Sequence, residues 1–212
     1  YLPSAKAERG MLAQLMSVQG AICREVKDVR LATQVLIGHD PRDPWHVPMP
    51  FSQGGPTLTK IGFCREAHGY PIHEGILANL DRAASILEDA GYIVEEIETP
   101  SIAEAAKAWL QVTNFEMKKT LEPVFREHGS EIIKQIFDCY YQLEDMVDAE
   151  GYLFGIAERT RMVREWNLIL ADYPLILTPY LMRPGYPNDF DETFEGVKDL
   201  FDSSIYSYGV TY

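Results

Sequence analysis

The sequence predicts an α/β fold: a partial mixed sheet flanked by helices, helix-rich over residues 100–171. Three observations carry this. A short apolar run, Ile61-Gly62-Phe63-Cys64, is followed by a long amphipathic segment over 72–90, a glycine at 91, and a second apolar run, Tyr92 to Ile97. Strand, helix, glycine, strand is the pattern of a parallel β-α-β unit. Residues 101–171 then show helical periodicity almost throughout, and Tyr173 to Pro179 is an apolar run between prolines, which fits a short buried strand.

Taken in order, residues 7–19 are compatible with a helix that Gly10 weakens. Ile22, Val26, Val29, Thr33 and Leu36 recur at steps of four and three, placing them on one helical face, and Gly38 fits a left-handed C-terminal cap. Residues 39–58 hold two Asp-Pro pairs and further Pro and Gly. A residue before proline is kept out of the helical region, so this stretch is irregular and links the N-terminal helical segment to the β-α-β unit. In the 72–90 helix Leu77, Leu80, Ala84 and Leu87 share a face, and Gly91 caps it. Helices are expected over 102–125 with a break before Pro123, over 130–147 and over 150–170, with a last one over 192–206. The chain opens on Tyr1-Leu2-Pro3 and closes on a strand-like Gly209 to Tyr212, and both ends read as boundaries within a longer polypeptide.

The 212 residues carry 19 Lys and Arg against 32 Asp and Glu, a net charge of −13. Phosphate binding needs basic patches, so nucleic acid is not an expected partner, and an anionic membrane surface is disfavoured for the same reason. No run of about 18 apolar residues is present, so no membrane span is expected. Cys23, Cys64 and Cys139 are odd in number and widely spaced, with no C-x-x-C pair. They read as free core thiols in a reducing compartment, with a cytoplasmic location. The five histidines show no H-x-x-x-H or H-E-x-x-H spacing, so neither a metal nor a cofactor is called for.

The sequence shows few marks of a catalytic centre. There is no G-x-S-x-G elbow, Walker A loop or G-x-G-x-x-G. Ser203-Ser204 sits in a helical context without the exposed turn, base and oxyanion donors a nucleophile needs. Glu95 and Glu96 are adjacent on a strand and so point to opposite faces, which prevents them from converging on one substrate. Trp109, Phe115 and Trp166 can line an apolar pocket, although aromatics at helical spacing more often fill a core.

Several segments in order resemble the amidase-signature family: Gly20-Ala21-Ile22-Cys23-Arg24 with Asp28 four residues on, the helix to Leu36, Gly38, and the Asp40-Pro41-Arg42-Asp43-Pro44 turn. Lys60 to Phe63, Leu77 to Gly91, Val94-Glu95-Glu96 and the Tyr173 to Pro179 run continue the match over roughly residues 10–185. Ala21 stands where the family usually has proline. The resemblance implies a single fragment of an amidase domain over 1–212, hydrolysing a carboxylic amide of a small molecule. The family's serine–serine–lysine machinery would lie outside this chain, so no catalytic residue carries over and the chain alone is expected to be inactive. It further implies that Arg24 and Asp28 are structural supports, against the plain alternative of a surface pair at i, i+4, and that Trp109, Phe115 and Glu116 belong to the substrate-pocket wall. Unpaired strand edges would favour self-association. A protein like the amide-transferring chain of a tRNA-dependent amidotransferase and a non-enzymatic binding module remain as other readings.

Overall fold

The computed structural model describes residues 8–48, 51 and 59–212, and the chain divides into two compact units, Tyr1–Gly55 and Pro56–Tyr212. The division falls within the irregular 39–58 stretch, part of which lies outside the described residues.

In the first unit a short helix α1 (Met11–Met16) precedes α2 (Val26–Leu36). The periodic apolar face of α2 contributes no buried residue, and Ile22, Val26 and Leu36 are exposed. Gly38 follows the helix, with its N–H donating to the Val35 carbonyl, but its φ is not positive: among the described glycines only Gly69 and Gly91 are left-handed. The helix therefore ends without the expected left-handed cap. The turn after it is held by Asp40, whose carboxylate accepts from the Arg42 backbone N–H at 2.9 Å and from its guanidinium at 2.6 Å. Asp43 likewise accepts from the Trp45 N–H at 2.9 Å. Each is the Asp side chain closing a turn two residues on.

The second unit is built on three parallel strands, β1 (Lys60–Phe63), β2 (Ile93–Glu96) and β3 (Leu175–Leu177), in the order β2-β1-β3. Among the described residues every strand pair is parallel, with Ile61 opposite Val94 and Leu175. The predicted helix between β1 and β2 is α3 (Glu74–Asp89). His73 caps its start, its ring Nδ1 accepting from the Gly75 N–H at 3.0 Å. Gly91, at φ 93°, ends it: the Gly91 N–H donates to Glu88 and the Tyr92 N–H to Leu87, the reversal that needs a residue without a Cβ. Leu80 and Ala84 of α3 pack on Phe63, with Val94 and Leu177 beside them.

The helical half follows as α4 (Ile102–Thr120), α5 (Glu122–His128), α6 (Glu131–Leu143) and α7 (Ala149–Asp172). The break falls at Leu121, just before Pro123, because proline has no N–H to continue the α4 ladder but fits a first helical turn. Ser101, Ser130 and Asp148 cap α4, α6 and α7 with side-chain oxygens. The expected last helix is two: α8 (Phe194–Ser203) and α9 (Ile205–Thr211), joined at Ser204. The strand-like reading of Gly209 to Tyr212 is thus corrected. Tyr206, Ile205 and Gly209 fold into α9 because their buried face packs on α4: Ile102, Ala106, Leu110, Met182, Phe201, Ile205 and Tyr206 form the main core. Tertiary burial overrides the β preference of this aromatic and β-branched run. The thiol expectation holds for Cys64 and Cys139, which are buried, and fails for Cys23, which is exposed; all three are free.

Candidate functional site

In open parallel α/β sheets, ligands bind beyond the carboxyl ends of the strands. Here that edge is formed by the segments that leave β1 at Cys64, β2 at Ile97 and β3 at Thr178. Backbone ladders carry past the strands: the Cys64 N–H donates to Leu177 at 3.0 Å and the Ile97 N–H to Phe63 at 2.9 Å. The segments are then tied to α9. The Tyr206 hydroxyl donates to the Glu66 carbonyl at 2.7 Å and lies 3.7 Å from Cys64 Sγ, which is 3.6 Å from Thr99 Oγ1. The His68 ring meets the Tyr206 ring edge-on at 5.6 Å. Burial, with the Cys64 contact behind it, pushes the Tyr206 phenol well up, so it stays a neutral donor. Burial also lowers the His68 pKa, against the opposing pull of Glu66, and favours neutral imidazole.

Three potential ligands meet at this edge: one donor atom each from Cys64, Glu66 and His68, all within 4.8 Å of one another. Searching for paired histidines misses them. The readable signal was C-x-E-x-H at alternate positions after a strand, since alternate residues of an extended chain share a face.

A cavity of about 520 Å³ lies between the turn before α3 and α8, with Tyr70, Ile72, His73, Met182, Asp199 and Ser203 on its wall. Ser203 and Ser204 are buried and do not resemble nucleophiles. The Ser203 hydroxyl donates to the Asp199 carbonyl at 2.6 Å, and the Tyr186 hydroxyl sits 2.6 Å from Ser203 Oγ and 3.0 Å from Ser204 Oγ. A phenol is no general base at neutral pH, so the pair stitches α8 to the 184–187 loop.

Of the sequence candidates for a pocket wall, Phe115 and Glu116 meet on one partner, Tyr152 of α7. Its ring lies 5.1 Å from Phe115 and its hydroxyl donates to Glu116 Oε2 at 2.7 Å. Burial and this carboxylate raise the Tyr152 phenol. Trp109 stands elsewhere, stacked on Tyr208 at 4.5 Å against the main core. Six residues of α-helix rotate Trp109 about 120° away from Phe115, so the three do not form one surface. Trp166 does line a cavity, one of about 280 Å³ with Met162, Val163, Leu170 and Tyr212, and there Arg159 Nε is buried without a hydrogen-bond partner. Arg24 and Asp28 are both exposed and form no ion pair with each other; Asp28 lies in the first turn of α2, where a carboxylate favours the helix dipole. Glu95 and Glu96 diverge as expected. Glu95 takes the Tyr173 hydroxyl at 2.7 Å and Lys60 at 3.2 Å, which lower its pKa, while Glu96 faces Arg65 at 3.3 Å.

A short parallel sheet, one β-α-β unit and a helical layer packed beyond the strands define an α/β domain of the kind that keeps its ligand chemistry in the loops at the strand ends. The chain belongs to the Amidase family, whose model matches residues 3–209. It is 34% identical over 205 residues to an indoleacetamide hydrolase of Bradyrhizobium diazoefficiens, covering 95% of this chain and 39% of that protein. It is 33% identical over 204 residues to one of Bradyrhizobium japonicum, covering 95% and 44%. A glutamyl-tRNA(Gln) amidotransferase component of Paenarthrobacter aurescens is 28% identical over 126 residues, covering 55% and 24%. Among solved structures, a bacterial aryl acylamidase of the amidase-signature family superimposes with a TM-score of 0.57 at 21% identity, over 80% of this chain and 38% of its own. A 6-aminohexanoate cyclic dimer hydrolase gives 0.62 at 15% identity, over 88% and 45%. The chain thus spans under half the length of these relatives.

Proposed function

We propose that this chain forms part of an amidase that hydrolyses the C–N bond of a small-molecule carboxylic amide through a serine nucleophile located outside these 212 residues. The observation that carries the reading is the family match over residues 3–209, combined with the engagement of Ser203 and Ser204 by Tyr186 and a backbone carbonyl rather than by a base. Exposed apolar side chains of the first unit support it: Val26, Leu31, Val35 and Leu36 of α2, with Ile22 just before it, are surface that further polypeptide would cover. Arylacetamides stand first among the substrates, since two relatives that match 95% of this chain at 34% and 33% identity are indoleacetamide hydrolases. Phe115 and Glu116, held by Tyr152, are the proposed pocket-wall residues, and Arg24 and Asp28 the proposed supports.

The amidotransferase reading rests on matches of lower identity, and the net charge of −13 gives no basic face for tRNA. The reading also includes association with further copies of the chain through the sheet edges, and a reducing, cytoplasmic setting for the three free thiols.

Ammonia release over a panel of aryl, amino-acid and cyclic amides tests the proposal. The polypeptide that carries this chain together with a Ser-Ser-Lys region is expected to be active, and the 212 residues alone inert. Turnover by the 212 residues that is abolished in Ser203→Ala would overturn it.

A further inference from the structure

The turn after β1 brings three dissimilar ligand groups together. In a straight strand residues 64 and 68 would stand roughly 13 Å apart, at about 3.3 Å per residue. Instead donor atoms of Cys64, Glu66 and His68 lie within 4.8 Å of one another. The extended run gives way to a turn here: His68 takes φ 45°, Gly69 φ 87°, and the Tyr70 N–H donates to the Ala67 carbonyl at 2.8 Å. A non-glycine residue at positive φ is uncommon.

A second, independent feature points to a missing partner. The His68 side chain is only 5% exposed, its Nδ1 lies 3.4 Å from Glu66 Oε1, and its buried Nε2 has no hydrogen-bond partner. Buried polar nitrogens are almost always satisfied, and an imidazole nitrogen is satisfied equally well by a proton acceptor, a donor or a metal.

We infer that Cys64, Glu66 and His68 form a binding site for one zinc-class divalent cation at the carboxyl end of β1. The donor set decides the class of ion. Magnesium and calcium take oxygen ligands, whereas thiolate, imidazole and carboxylate together suit zinc or cobalt. Zinc–ligand bonds of about 2.0–2.3 Å put tetrahedral donors roughly 3.3–3.8 Å apart, so closure needs a contraction of about 1 Å. Glu66 can supply it, because its side chain is 52% exposed. The Thr99 hydroxyl, at 3.6 Å from Cys64 Sγ, is placed to donate to a thiolate and hold it in position. Binding removes one proton from the Cys64 thiol to solvent as the sulfur–metal bond forms, with no change of oxidation state, and three protein ligands leave a fourth position for water. The site is independent of the amide-hydrolysis reading: it concerns cation binding by this chain alone.

The test is an anaerobic Co²⁺ titration of the 212-residue chain carrying Cys23→Ser, which removes the exposed thiol. One equivalent is expected to produce a sulfur-to-cobalt charge-transfer band and four-coordinate visible absorption, both erased by equimolar Zn²⁺. Cys64→Ser should abolish the charge-transfer band. Because that side chain is buried, Glu66→Gln and His68→Gln provide separate readouts, each weakening binding by more than about tenfold, the loss that even residues behind metal ligands bring. Absence of a charge-transfer band, its survival in Cys64→Ser, or unchanged affinity in both Glu66→Gln and His68→Gln would each overturn the site.

Discussion

The Tyr206 hydroxyl of α9 donates to the backbone carbonyl of Glu66 at 2.7 Å, joining residues 140 positions apart in sequence. Tyr206 is 2% exposed and also belongs to the main core, so one side chain fastens the helical layer to the carboxyl edge of the sheet. In Tyr206→Phe the ring packing survives and the carbonyl loses its donor. A hydrogen bond of this kind contributes about 0.5–1.5 kcal/mol, so the unfolding free energy should fall by that much, read as a lower urea midpoint at an unchanged slope. An unchanged midpoint would mean that water replaces the phenol and that the edge is looser than this geometry implies.

Gly196, in the first turn of α8, has no room for a side chain. A Cβ there would sit 1.8 Å from the Phe190 carbonyl oxygen and 2.9 Å from its carbon, both backbone atoms that cannot rotate away. Gly196→Ala should therefore destabilise by about 1–3 kcal/mol or more, as overpacking does, in spite of alanine's better helix propensity. Gly20→Ala is the control, since its Cβ would meet nothing within 4 Å. Thermal melts of the two variants should separate cleanly. Equal melting temperatures would show that the 190–196 segment moves aside.

Acid sensitivity should centre on the joint between α5 and α6. Glu122 is opposed by its own burial, but Lys118 at 2.7 Å and Arg126 at 3.1 Å outweigh it and hold the carboxyl below its ordinary 4.5. Arg126 also pairs with Asp138, whose pKa that guanidinium lowers from 3.8. A carboxylate whose folded pKa is depressed contributes stability that is fully present above the unfolded value and is lost as pH falls through the folded one. Stability should thus be level above about pH 5 and decline below about 4.5, the unperturbed range of the two groups. In Glu122→Gln the acid limb should flatten, which denaturation midpoints measured between about pH 3 and 7 would reveal; an acid limb as steep as in the parent would assign the loss to other carboxylates.

These relationships differ in how far the sequence could disclose them. The β1-α3-β2 unit was legible because its signals are local: Leu80 and Ala84 recur at helical spacing, Gly91 supplies the left-handed cap, and Ile61 and Val94 lie in short apolar runs bounded by turns. The α4 break was legible in Pro123. The fate of residues 207–212 was not, because Tyr208, Val210 and Tyr212 favour a strand locally, and the run is helical because Ile205, Tyr206 and Gly209 bury on α4, about a hundred residues away. The same holds for the carboxyl-edge cluster. Its three ligand residues are visible as C-x-E-x-H, but the left-handed φ of His68 and the arrival of Thr99 and Tyr206 at Cys64 from other elements are not. The pocket-wall residues show the converse: Trp109 and Phe115 are on the same helix, yet the helical repeat sends them to different partners, Tyr208 and Tyr152.

The sheet's two outer strands, β2 and β3, each hydrogen-bond to β1 on one side, and among the described residues neither has a strand on its other side. Ile93 and Leu175 on these strands are 55% and 46% exposed. An unpaired edge carrying apolar side chains is a template for pairing with another chain, and charged residues are what normally blunt it. The 212-residue chain should therefore give a light-scattering mass that rises above 24.1 kDa as concentration increases. Ile93→Lys places a cation on the β2 edge and should shift the mass back toward the monomer, with little effect on folding because the side chain is more than half exposed. A constant 24.1 kDa mass across concentrations would mean that the twist and shortness of these three- and four-residue strands protect the edges by themselves, and the self-association reading would fall.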